Sequence, residues 1–145
     1  QAALTTTLTL ENGLTTTTTR DAAYQITNHS TAAGANVKAS VAHGYDNAGR
    51  RKYAQYEDTQ GQAYAYDSAG QVKNVLVNTA NPATANPNAS PTHAYNYDAN
   101  GNRNSALAFG ATTNYAANNV NAYTSISGGG ILPPSHQAHL HHAFC

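Results

Sequence analysis

The chain has 145 residues, room for about one domain with a modest core. Seven Lys and Arg balance seven Asp and Glu, so net charge is zero with His neutral, which removes the electrostatic case for nucleic acid or an anionic membrane surface. Charged residues are only 10%, so the polar surface must come from Thr, Asn, Gln and Ser, and ten Tyr against two Phe and no Trp favour strands and turns over helices.

Residues 1–19 are nearly all Thr, Leu and Ala. Leu4, Leu8 and Leu10 share parity, which predicts a strand with one apolar face. Glu11-Asn12-Gly13 supplies an Asn-Gly turn, and 14–20 reads as a second Thr-rich strand, so this segment is a surface hairpin or a low-complexity stalk. Arg20-Asp21-Ala22-Ala23-Tyr24 follows, then a loop at 31–34 and a weakly alternating strand at 37–43.

From Tyr45 the chain becomes repetitive. Tyr45-Asp46-Asn47-Ala48-Gly49, Tyr66-Asp67-Ser68-Ala69-Gly70 and Tyr97-Asp98-Ala99-Asn100-Gly101 all read Tyr-Asp-x-x-Gly. Asp at the head of a turn accepts hydrogen bonds from amides further on, and Gly at the fourth place takes a left-handed conformation without a Cβ clash. The preceding Tyr belongs to a strand. Asp58-Thr59-Gln60-Gly61 reads as one more such turn, between strands at 50–57 and 62–66; strands at 71–78 and 92–97 follow. Pro82, Pro87 and Pro91 mark 81–91 as an exposed insertion and the best internal boundary. After Asp98, strands at 104–109 and 112–116 lead to Asn118-Asn119-Val120-Asn121, with Asn in both the Asp and the Gly places. Asp21 and Tyr24 occupy those places in a degenerate first copy. The spacing of about 20 residues predicts a repeat array in which each unit packs on its neighbours.

With a following Arg, as at Tyr45–Arg51 and Tyr97–Arg103, these units resemble the YD-repeat (rearrangement hotspot, RHS) proteins over residues 20–126. The resemblance implies hairpins in a sheet that spirals into a hollow shell. Bacterial members enclose a toxic C-terminal domain, and animal relatives act in cell adhesion. The chain is too short to close such a shell alone. It holds no Asp-Pro, so the self-cleavage motif that ends many bacterial shells is not carried over.

The expected fold is therefore all-β: tandem antiparallel hairpins in an open, curved or spiralling sheet. It comprises a Thr-rich segment (1–19), a repeat region (20–126) with its insertion (81–91), and a Gly/Pro linker with a His-rich tail (127–145). The structural turn residues are Tyr45, Asp46, Gly49, Asp58, Gly61, Tyr66, Asp67, Gly70, Tyr97, Asp98 and Gly101. Tyrosines alternating with Ala are expected on the packed face of the sheet. His136, His139, His141 and His142 have the donor chemistry for zinc, copper or nickel, on a tail behind Gly-Gly-Gly and Pro-Pro.

Cys145 has no second cysteine for an internal disulfide. Nothing specifies a reaction, and neither an enzyme nor a cofactor is expected. Beginning at Gln1 without any Met, the chain is expected to be a processed form or a piece of a longer, secreted or cell-surface bacterial protein. Its expected partners are other repeats of that chain, or other copies, through strand-edge pairing. No apolar run is long enough for a membrane helix.

Overall fold

The computed structural model describes residues 3–128, which hold strands and no helix. The chain divides after Pro91 into two compact units. The first contains β1 (Leu4–Thr9), β2 (Leu14–Arg20), β3 (Ile26–Ala33), β4 (Asn36–Tyr45), β5 (Arg51–Tyr56), β6 (Gln60–Tyr66) and β7 (Val72–Ala80). The second contains β8 (His93–Tyr97), β9 (Arg103–Ala108), β10 (Ala111–Ala117) and β11 (Tyr123–Gly128). Within each unit every strand pairs antiparallel with the next in sequence, giving an open meander.

The Thr-rich segment joins the sheet, because β2 pairs with β3 from Leu14↔Ala33 to Arg20↔Ile26. Threonine suits a pleated, half-exposed surface, and here hydroxyls bond across strands: Thr16 to Thr31 at 3.2 Å, and Thr18 to His29 Nδ1 at 2.9 Å. β3 runs on through Ala33 where a loop was expected. A two-residue turn at 34–35 suffices, with Gly34 at φ 59°.

The core is small and made of small side chains. Ala54, Ala63 and Val75 are buried, with 4%, 2% and 9% of their surface exposed. Tyr53, Tyr64, Tyr66, Tyr95 and Tyr97 are only half-buried, contrary to the expectation that tyrosines form the packed face. Alanine is short enough to be covered by its strand neighbours, whereas a ring standing on a sheet needs a second layer to cover it.

The proline segment supplies such a layer locally. Pro82 is fully buried rather than exposed, and Asn88 Oδ1 accepts from Asn74 Nδ2 at 2.8 Å. Asn81 N donates to Thr59 O at 3.0 Å, tying the start of the segment to the loop between β5 and β6. The insertion therefore folds back onto the first unit.

Candidate functional site: the ladder of turns

One loop geometry recurs at 21, 46, 67, 98 and 118. In each, the amide at the Asp or Asn position donates to the carbonyl four residues on, and the amide three residues on donates back: Asp46 N to Arg50 O at 2.9 Å, and Gly49 N to Asp46 O at 2.9 Å. This is a three-residue hairpin loop with a left-handed third residue. That residue is Tyr24, Gly49, Gly70, Gly101 or Asn121, at φ 62°, 76°, 85°, 83° and 61°.

The head side chain completes the loop. Asp46 Oδ1 accepts from Ala48 N and Arg50 N, both at 2.9 Å. Asp67 does so from Ala69 and Gln71, Asp98 from Asn100 and Asn102, Asp21 from Ala23 and Gln25, and Asn118 from Val120 and Ala122. The second oxygen of Asp46 meets the Arg50 guanidinium at 2.7 Å, and that of Asp98 meets Asn102 Nδ2 at 2.9 Å.

These bonds hold both carboxyls below the ordinary value of 3.8. For Asp46 the backbone amide of Arg50 is the largest cause; for Asp98 it is the Asn102 side chain. A lowered folded-state value means stability that is complete above the unfolded value and lost as pH falls through the folded one. Both oxygens of Asp46 and Asp98 thus accept from groups of their own loop, one from backbone amides and the other from the side chain four places on.

Each loop is followed by the same β-bulge. The residue before the head pairs with the residue five after it: Arg20↔Ile26, Tyr45↔Arg51, Tyr66↔Val72, Tyr97↔Arg103 and Ala117↔Tyr123. One residue stays unpaired and the strand is re-aimed. Two of the tyrosines that precede the loops bond to the preceding repeat: Tyr45 Oη donates to Ile26 O at 2.8 Å, and Tyr66 Oη to Arg51 O at 2.7 Å.

Within each unit the strand order brings these loops to one end of the sheet, and those at 21, 46 and 98 reach the next loop through the side chain four places after the head. Gln25 Nε2 donates to Gly49 O at 2.9 Å, Arg50 Nη1 to Asp67 O at 3.5 Å, and Asn102 Nδ2 to Asn121 Oδ1 at 3.0 Å. Arg50 also lies 4.5 Å over the Tyr66 ring. Gly49 has a second reason to lack a Cβ, which would sit 3.1 Å from Gln25 Nε2. Gln25 and Asn102 were not singled out by sequence reasoning. Their signal is the fixed place directly after the left-handed residue.

Asp58 and Gly61 do not form this turn. The loop is Glu57-Asp58-Thr59, with Thr59 N bonded to Tyr56 O at 3.1 Å and Thr59 itself left-handed at φ 67°. Asp58 caps Gln60 N at 2.9 Å, and Gly61 lies inside β6. A Cβ on Gly61 would overlap the Ala54 carbonyl oxygen and lie 2.9 Å from Pro82 Cγ. The missing side chain serves close approach, not a turn.

On one face an open depression is lined by His29, Thr31, Ala39, Ser40, Val41, Tyr56 and Glu57. Glu57 Oε2 accepts from Ser40 N at 3.2 Å, where β4 outruns β5. Among the described residues no three His, Cys, Asp or Glu side chains gather around a common point. His136, His139, His141 and His142 lie outside the described residues, as does Cys145.

His43, opposite Ala54, has a buried Nδ1 without a hydrogen-bond partner. Burial, then the charge of Arg51, pushes its pKa below 6.5, against a backbone hydrogen bond at Tyr53. The unfolded chain takes this proton first, so stability is complete above pH 6.5 and is lost as pH falls through the lower folded-state value. Chemical denaturation between pH 7.5 and 5 should show this slope, and His43→Gln should flatten it. Equal slopes in both proteins would contradict the assignment.

No described helix is long and apolar enough to cross a membrane. Compared with protein-family models and with curated proteins, the chain matches none.

Proposed function

We propose that this chain is a non-catalytic structural segment of a secreted or cell-surface YD-repeat shell, which encloses or presents a partner domain. The observation that carries this reading is the ladder of turns: Asp46, Asp67 and Asp98 serve their own loops, and Gln25, Arg50 and Asn102 tie one loop to the next. Chemistry spent this way extends a sheet unit by unit. The YD-repeat resemblance supplies the shell and its bacterial setting.

A second reading, a self-assembling extracellular fibre or adhesin subunit, is favoured by the neutral composition and by β1, which among the described residues pairs only with β2 and carries no charge or Pro. Light scattering with negative-stain microscopy separates the two. Small monodisperse particles of one or two copies support the shell segment. Long regular polymers overturn it in favour of the fibre.

A further inference from the structure

We propose that two copies of this chain pair through β1, antiparallel, about a two-fold axis at Thr6. The inference goes beyond both readings above, since such a pair closes on itself and builds neither shell nor fibre.

Among the described residues β1 has one neighbour, β2. Leu10 bonds inward, its amide to Leu14 O at 2.8 Å and its carbonyl to Gly13 N at 3.0 Å. Antiparallel ladders alternate, so the even residues of β1 bond to β2 and the backbone groups of Thr5, Thr7 and Thr9 face the open edge. Common edge protection is missing. Leu4–Thr9 carries no charge and no Pro, and its register with β2 is unbroken over six pairs, where β2 and β3 already carry a bulge.

The sequence selects the occupant. Leu4-Thr5-Thr6-Thr7-Leu8 reads the same in both directions, so an antiparallel copy matches it side chain for side chain. Centred on Thr6, Leu4 stands opposite Leu8 of the second copy, and Thr5 opposite Thr7. Leu4 and Leu8 are 50% and 60% exposed, and this register covers both on one face while threonines meet on the other. Thr5 and Thr7 form the hydrogen-bonded pairs, four bonds in all by symmetry. Thr6 meets its own copy in a non-hydrogen-bonded pair with Cα atoms about 4.5 Å apart. One short strand per copy is a small interface, so the affinity is expected to be on the order of micromolar or weaker.

The test uses the whole chain with Cys145→Ser as background and single cysteines at Thr5, Thr6 or Thr7, under a glutathione redox buffer. A Cα separation of about 4.5 Å suits a disulfide. Thr6→Cys should give a covalent dimer in high yield. Thr5→Cys and Thr7→Cys should link poorly alone and better when mixed. Sedimentation equilibrium should show a reversible dimer of the parent chain, abolished by Thr6→Lys, which sets like charges together on the axis while leaving the exposed strand's fold and melting temperature in place. A monomer at all concentrations overturns the inference. So does association in which Thr6→Cys links no better than Ser68→Cys, which would place contact elsewhere and leave the fibre reading standing.

Discussion

Gly61→Ala should lower the stability of the first unit by about 3 kcal/mol, the upper end of what overpacking costs. Gly61 pairs with Gln55 across the β5–β6 ladder, and the place a Cβ would take is already bounded by the Ala54 carbonyl and the Pro82 ring. A methyl group there meets a carbonyl oxygen that belongs to the ladder, and a fully buried proline ring. Neither can swing away as a surface side chain can. Either β5 and β6 separate, or the proline segment lifts and Pro82 loses its burial. Gly13→Ala is the control: Gly13 is left-handed at φ 80° with open space around it, so it loses only about 1 kcal/mol to backbone strain. Thermal unfolding compares the two, with Gly61→Ala melting about 15 °C below the parent. Equal effects would mean that the close approach of Pro82 and Ala54 is not a feature of the folded chain.

Asp46→Ala should undo one loop and loosen the next. The substitution removes the acceptor for Ala48 N and Arg50 N together with the carboxylate that holds the Arg50 guanidinium. Arg50 then loses its anchor for reaching Asp67 O and for lying over Tyr66. Asp46→Asn should be milder, because the amide oxygen can still accept from both backbone groups, as Asn118 does in its own loop. Arg50→Ala should leave the Asp46 loop closed but cut its tie to the following one. Acid should act like the alanine variant, since protonation weakens the same acceptor.

The loops were legible in the sequence because their chemistry is local. A carboxylate placed to accept from amides two and four residues on, and a residue that tolerates positive φ one place earlier, are both visible in a five-residue window. The degenerate copies at Asp21 and Asn118 follow the same logic, with Tyr24 and Asn121 bearing the left-handed position. The same window misled at Asp58. Asp-x-x-Gly is present there, yet the chain turns two residues earlier on Glu57-Asp58-Thr59, and Gly61 is claimed by contacts with Ala54 and Pro82. Those contacts depend on the pairing of β5 with β6 and on the path of residues 81–91, and neither is written in local composition. Pro82 fails to read as buried for the same reason. Gln25, Arg50 and Asn102 occupy an obvious place in the repeat, but the loop each one reaches lies in the next unit, so their role appears only once the units are stacked.

Each loop is closed by its own head Asp or Asn side chain, and those at 21, 46 and 98 are tied to the next by the side chain four places on. Residue-resolved amide hydrogen exchange on the parent chain and Asp46→Ala tests it most directly. The account predicts slow exchange at Gly49 and Arg50 in the parent, near-unstructured rates there in the variant, and a smaller acceleration at Gly70 and Gln71. Fast exchange at Gly49 and Arg50 in the parent, or slow exchange that survives the loss of the Asp46 carboxylate, would contradict it.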